Sequence, residues 1–238
     1  HRPGEWCRFN QITVSWNPAL DLPSGIGGYS YSFTTSPTTI PDAIPDTGYA
    51  PRRITSPVLE DGQSWYFHLR AVDKAGMPPT TPFTGAFWID ATPPPPPLIE
   101  IAEERYQTGI WLQSNQIAVN FRLSDDNLSG NYSVRYNFTL SPDTEPVTGR
   151  ETRSYIWVNS GELGDGNTWY CHAQTKDIAG NFSIPAHLGP YWIDRTPPHG
   201  DLLIESIPGT ANFNVNARVE DSLSGVREWN IHYREVGE

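Results

Sequence analysis

The stretch Asp61-Gly62-Gln63-Ser64-Trp65-Tyr66, followed by Asp73-Lys74-Ala75-Gly76 and then Trp88-Ile89-Asp90-Ala91-Thr92-Pro93-Pro94, occurs a second time. It returns as Asp165-Gly166-Asn167-Thr168-Trp169-Tyr170, Asp177-Ile178-Ala179-Gly180 and Trp192-Ile193-Asp194-Arg195-Thr196-Pro197-Pro198, with every landmark displaced by 104 positions. A register held through loops and strands alike means one folding unit used twice. Working outward, Gly4, Trp6 and Asn10-Gln11-Ile12 match Gly109, Trp111 and Asn115-Gln116-Ile117, so the first unit starts essentially at residue 1. The periods place a first domain at 1–94, a second at 95–198, and the first strands of a third, incomplete one at 199–238.

Within each copy the apolar pattern has period two, the signature of strands with one buried face. Ile12, Val14 and Trp16 alternate with Thr13 and Ser15; Ile117, Val119 and Phe121 repeat this, and Phe213, Val215 and Ala217 give a third version. The loop that follows reads Asp21-Leu22-Pro23-Ser24-Gly25, Asp126-Asn127-Leu128-Ser129-Gly130 and Asp221-Ser222-Leu223-Ser224-Gly225. An Asp folds its carboxylate onto nearby backbone N–H groups and Gly supplies the positive φ that closes such a turn. Next come Tyr29, Tyr31, Phe33, then Val134, Tyr136, Phe138, then Trp229, Ile231, Tyr233, which mark a central core strand in all three copies. The divergent stretches 34–57 and 139–160 read as edge strands and surface loops. In the strand opened by the Asp-Gly turn, alternation sends Trp65, Phe67, Leu69 and Ala71 inward and Tyr66, His68 and Arg70 outward. Trp169, Cys171, Ala173 and Thr175 are the second inward set.

Composition agrees: 23 Pro, 20 Gly and 12% aromatics in 238 residues suit short strands and tight turns rather than helices. A formal charge of −11 removes the attraction that drives nucleic-acid binding and disfavours anionic membrane surfaces. It leaves cations, neutral ligands and proteins. No apolar run approaches the roughly 20 residues that span a bilayer, so no membrane insertion is expected. With His at position 1 and no leader, the chain reads as a mature or excised piece of something longer. The half-unit ending at Glu238 would leave strand edges uncovered unless the protein continues or a neighbour covers them. Cys7 and Cys171 fall on non-equivalent strands of different units and read as small buried hydrophobes rather than as a disulfide.

About seven strands per 100 residues, Trp16 on the second strand, an aromatic third strand, and Leu59 or Leu163 six residues before Trp65 or Trp169 resemble the fibronectin type III fold. The wording D-x-x-S-G, D-G-x-W-Y, D-x-A-G-N and W-I-D-x-T-P-P is similar to tandem Ig-like and fibronectin-like repeats of bacterial and archaeal surface and secreted proteins. Asp177 to Asn181 matches in full, while Met77 stands in place of the Asn in the first copy. Trp65 and Trp169 replace the usual corner Tyr. Phe121 and Ala217 replace the second-strand Trp. The resemblance implies an all-β fold of tandem antiparallel Ig/fibronectin III-like β-sandwiches, two complete and one partial, in an extracellular, secreted or cell-surface setting. It does not choose among spacers, stalks, adhesive units and accessory modules of polysaccharide-active enzymes.

The residues that recur are aromatics, Gly, Pro and Asp, with no nucleophile and matched base among them, so no catalytic residue is expected. His68 and His172 are equivalent and read as surface histidines. Asp90 leaves the first unit toward the second unit's loops and is expected to approach Asp126 and Asp177, as Asp194 should approach Asp221 and Glu220. Converging carboxylates suit hard-oxygen ligation of Ca²⁺, in a manner that resembles cadherin junctions; the alternative is that each Asp caps its own turn. Trp157, with Trp6 and Trp111 behind it, is the candidate sugar-stacking residue, and Asn127, Asn131, Asn137 and Asn181 head glycosylation sequons. The reading that follows is a non-catalytic spacer or adhesion segment, partnered by neighbouring modules of its own chain and by a protein or glycan on a surface. Carbohydrate-binding accessory modules are the second reading.

Overall fold

The computed structural model describes residues 1–76, 83–155 and 157–232. Met77 and Tyr233, singled out above, lie outside them. The protein is all-β, and among the described residues the one helical element is a short 3₁₀ turn at Glu104–Tyr106. In the first copy the strands are β1 (Trp6–Cys7), β2 (Thr13–Ser15), β3 (Ile26–Thr34), β4 (Thr47–Gly48), β5 (Arg53–Thr55), β6 (Gly62–Asp73) and β7 (Phe83–Ile89). In the second they are β8 (Leu98–Ile101), β9 (Trp111–Leu112), β10 (Ala118–Arg122), β11 (Asn131–Thr139), β12 (Arg150–Thr152), β13 (Val158–Asn159), β14 (Gly166–Asp177) and β15 (Ala186–Ile193). A hairpin of β16 (His199–Ser206) and β17 (Phe213–Glu220) follows.

The sheets repeat as the sequence does. One has the order β1-β7-β6-β3-β4 and its counterpart β9-β15-β14-β11-β12, with β1 and β9 running parallel to β7 and β15. The opposing sheet is β2-β5 in the first copy and β13-β10-β8 in the second. By packing, the chain divides into two compact units that cross these repeats. One holds His1–Pro96, Leu123–Ser133 and Gln174–Ile184; the other holds Pro97–Arg122, Val134–Ala173 and Pro185–Glu238.

Burial follows the period-two pattern. Ile12, Leu59, Phe67, Phe87 and Ile89 form the first core, with Trp16 ringed by Tyr29 at 5.3 Å and Phe67 at 6.1 Å between centroids. In the other unit Leu112, Ile117, Val119, Phe121, Val134, Tyr136, Cys171, Tyr191 and Ile193 are buried. Trp6 and Trp111 are half-buried and tilt against Trp88 and Trp192. Where a corner Tyr was missing, the indoles take over: Trp65 Nε1 donates to the Glu60 carbonyl at 2.7 Å and Trp169 Nε1 to that of Gly164 at 2.9 Å. Cys7 and Cys171 are free thiols, and burial pushes the Cys171 thiol far up, which makes it inert.

Two expectations are corrected. Trp229 and Ile231 are exposed and outside any strand; among the described residues the third copy's sheet is the two-stranded hairpin of β16 and β17, with no second sheet over them. His68 and His172 are not surface residues: both are fully buried. The outward face of β6 and β14 is covered by the loop that follows β3 and β11. Thr34 Oγ1 lies 3.0 Å from His68 Nε2 and 2.9 Å from Thr39 Oγ1, and Thr139 Oγ1 lies 2.9 Å from His172 Nε2 and 2.8 Å from Thr144 Oγ1. The repeated wording Thr34-Thr35-Ser36-Pro37-Thr38-Thr39 and Thr139-Leu140-Ser141-Pro142-Asp143-Thr144 was the signal for this fold-back, inside a stretch that reads as divergent surface.

Candidate functional site

Three short segments of the first compact unit meet at one point. In the loop 126–130, the Asp126 carboxylate accepts the N–H of Gly130 at 2.7 Å and of Leu128 at 3.4 Å. This turn closes because Gly130 has a φ of +87°, a region open to glycine. In the loop 177–181, Asp177 Oδ1 accepts from Gly180 N at 2.6 Å and Asn181 N at 2.7 Å, and its Oδ2 accepts from Asn181 Nδ2 at 2.6 Å. The third segment is the exit of β7, held when Asp90 N donates to the Cys7 carbonyl at 3.0 Å and so extends the parallel pairing of β1 with β7.

Asp90 then ties the three together. Its Oδ2 accepts the Ser129 N–H at 3.0 Å, its Oδ1 that of Thr92 at 3.3 Å, and its carbonyl accepts Asn181 Nδ2 at 2.8 Å. The two loops also bond to one another, Ile178 N to the Gly130 carbonyl at 2.9 Å and Ala179 N to Ser129 Oγ at 3.3 Å. The final Asn of D-x-A-G-N thus has a physical role, because its amide joins Asp177 to the Asp90 carbonyl. A further aspartate explains why D-G-x-W-Y and W-I-D-x-T travel together. Asp61 accepts from Ala91 N at 2.8 Å and Thr92 Oγ1 at 2.6 Å, and Asp165 from Arg195 N at 3.1 Å and Thr196 Oγ1 at 2.6 Å.

Of the expected carboxylates, Asp90, Asp126 and Asp177 are brought together: one oxygen from each lies within 4.8 Å of the others, and Asp90 and Asp177 are buried. Burial, with the Asp90 charge beside it, holds the Asp177 carboxyl above the usual carboxylate range against the lowering pull of the Asn181 and Gly180 donors. Asp126 Oδ1 is shut off from solvent with no hydrogen-bond partner among the described residues. Two oxygens on one Ca²⁺ at about 2.4 Å stand at most about 4.8 Å apart, so the separation is compatible with a shared hard cation.

In the other unit Asp194 Oδ2 accepts from Ser224 N at 2.9 Å and Oδ1 from Thr196 N at 3.0 Å, and Asp221 Oδ1 caps Leu223 N at 2.9 Å and Gly225 N at 3.0 Å. The Ser224 hydrogen bonds, with a smaller contribution from Asp221, hold the Asp194 carboxyl below its ordinary value. Glu220, expected beside them, is engaged by the Arg218 guanidinium. Trp157 is half exposed, with its backbone N–H donating to Asn120 Oδ1 at 2.8 Å and a φ of +58°. His172 faces His187, Nδ1 to Nδ1 at 2.6 Å. His187 escaped the sequence reading, because the repeat pairs it with Thr84 rather than with a second His.

No protein-family model matches the chain, and no curated protein does. Solved structures do. The fibronectin(III)-like modules of Clostridium thermocellum CbhA are similar at 15% identity over 78% of this chain and 87% of that one, with a TM-score of 0.44. The chicken CNTN1 FN1-FN3 domains are similar at 12% identity over 82% and 65% of the two chains, with a TM-score of 0.42. The chain itself is all-β, with the sheet order of its first copy repeated in its second. No helix among the described residues is long and apolar enough to cross a membrane.

Proposed function

We propose that this segment is a non-catalytic spacer or adhesion module of a larger surface or secreted protein, one that sets the geometry of whatever it joins. The observation that carries this reading is Asp90. A buried carboxylate at the exit of one sandwich spends both oxygens on backbone N–H groups, one of them in the next copy's loop, and its carbonyl is held by Asn181 from a second loop. Sequence investment of this kind, repeated in Asp194 and Ser224, goes into joints rather than into a reacting centre. The test is ¹⁵N relaxation on the intact chain. The wild type should show the amides of Thr92, Ser129 and Asn181 as rigid as β6, and Asp90→Ala should loosen all three together; amides already mobile in the wild type would refute the joint.

A second reading concerns the same carboxylates. Three negative charges sharing a site, with Asp126 Oδ1 lacking a donor, favour Ca²⁺ as a neutralising ligand. Titration calorimetry and thermal melting with and without Ca²⁺ test it. Heat and a higher midpoint, both lost in Asp126→Asn, support the cation; a null titration leaves the aspartates as turn caps.

A further inference from the structure

A loop-covered histidine occurs in both copies, but the two histidines have different company. In the first copy His68 Nε2 lies 3.0 Å from the Ser36 carbonyl and 3.0 Å from Thr34 Oγ1, and its Nδ1 is buried with no hydrogen-bond partner among the described residues. Thr84 stands opposite it in the register of β6 with β7. In the second copy that place belongs to His187 on β15, opposite His172 on β14, and the two Nδ1 atoms are 2.6 Å apart. Thr38 of the covering loop is likewise exchanged for Asp143, whose carboxylate is near enough to favour a positive charge on His172. Around one buried histidine, two hydroxyl residues have become an imidazole and a carboxylate.

The covering loop also fixes which nitrogen of His172 carries the hydrogen. Thr139 Oγ1 donates to the Ser141 carbonyl at 3.2 Å, so it accepts from His172 Nε2 at 2.9 Å, and the Ser141 carbonyl accepts from the ring as well. With the hydrogen on Nε2, Nδ1 is left with a lone pair, and that lone pair faces His187. A histidine whose far nitrogen is spent on a backbone carbonyl, with its near nitrogen free to give electrons, has the arrangement that orients metal-binding imidazoles. His172 is fully buried and held in place, whereas His187 is exposed and gives access from solvent.

Imidazole nitrogens select late first-row transition ions over Ca²⁺ and Mg²⁺, which take oxygen ligands. Zinc–nitrogen bonds of about 2.0–2.1 Å at a tetrahedral angle set two ligand nitrogens about 3.3 Å apart. The pair at 2.6 Å must therefore open by roughly 0.7 Å, a movement that the exposed His187 side chain supplies by rotation while His172 stays fixed. The formal charge of −11 on the chain adds a general attraction for cations.

We propose that His172 Nδ1 and His187 Nδ1 together bind a divalent transition-metal ion of the zinc class, with water in the remaining positions and the Asp143 carboxylate offsetting its charge. The site joins β14 to β15 within one compact unit and has no equivalent in the first copy, where Thr84 stands in the place of His187. It differs in chemistry from the carboxylates Asp90, Asp126 and Asp177, whose oxygens suit a hard cation.

The test is titration of the whole chain, first stripped with chelator, with Zn²⁺ alone, followed by calorimetry and by ¹⁵N spectra of the histidine rings. Zinc should move the Nδ1 resonances of His172 and His187 together, leave those of His68 in place, and raise the melting midpoint. His187→Gln changes an exposed residue, so the variant should fold, bind zinc at least about tenfold more weakly and lose the rise in midpoint. His199→Gln, at another exposed histidine, and Asp126→Asn should both keep the site, and excess Ca²⁺ should not displace the zinc. Resonances of His172 and His187 that zinc leaves unmoved would mean that the pair shares a proton only. That result, an affinity unchanged in His187→Gln, or displacement by Ca²⁺ would each overturn the proposal.

Discussion

Acid should weaken this protein through one histidine. His172 is fully buried, its Nε2 is engaged by Thr139 Oγ1, and its Nδ1 stands 2.6 Å from Nδ1 of His187, a separation with room for one proton between two rings. Burial lowers its pKa first and the His187 charge second, while the Ser141 carbonyl and the Asp143 carboxylate pull the other way. The result is a value of about 4 against an ordinary 6.5. The sign follows from proton uptake. Between these values the unfolded chain binds a proton that the folded chain refuses, so stability present above about pH 6.5 is lost as the pH falls toward 4. From near pH 7.5 to pH 5 the loss is about 2 kcal/mol. His68 is lowered by burial in the same sense, so the measurement must be a difference. Urea unfolding of the wild type and of His172→Gln at both pH values should show the variant losing about 2 kcal/mol less than the wild type on acidification. NMR titration of the His172 Cε1–H should show no charging down to about pH 5. A His172 that titrates near 6.5, or a wild-type-to-variant difference that stays constant between the two pH values, would refute the reasoning.

Other perturbations test the repeat and its loops. Ser56 Oγ and Ser160 Oγ accept the buried N–H groups of Ile12 and Ile117 at 2.9 and 3.0 Å. Replacing either Ser with Ala leaves a buried donor unpaired and should cost about 1–3 kcal/mol by urea unfolding, with similar penalties at the two sites. Trp157 holds a left-handed backbone and a half-exposed ring, so Trp157→Gly should raise stability by about 1 kcal/mol in thermal melts. On the spacer reading the same variant leaves binding on a glycan array unchanged, and glycan binding that disappears with Trp157 would favour the accessory-module reading instead.

The strands were legible because alternation and a fixed repeat are local properties of the chain. Ile12, Phe67 and Ile89 could be assigned to the core without knowing what lay opposite them. The meeting of Asp90, Asp126 and Asp177 was legible for a different reason: a family resemblance supplied the loop positions, and the repeat supplied the residue that leaves one copy as the next begins. What stayed hidden was what covers what. His68 and His172 sit on the face that alternation calls outward, and only the fold-back of the T-x-S-P-x-T loop buries them. Trp229 has the pattern of a core residue and stands exposed among the described residues.

Single-molecule stretching of the chain between end attachments tests most directly the claim of one sandwich built twice for a mechanical role. The account predicts two separate force peaks, each releasing roughly 100 residues or about 35 nm of contour length, after an early low-force opening of the β16 and β17 hairpin. One peak releasing both copies together, or extension without peaks, would contradict it.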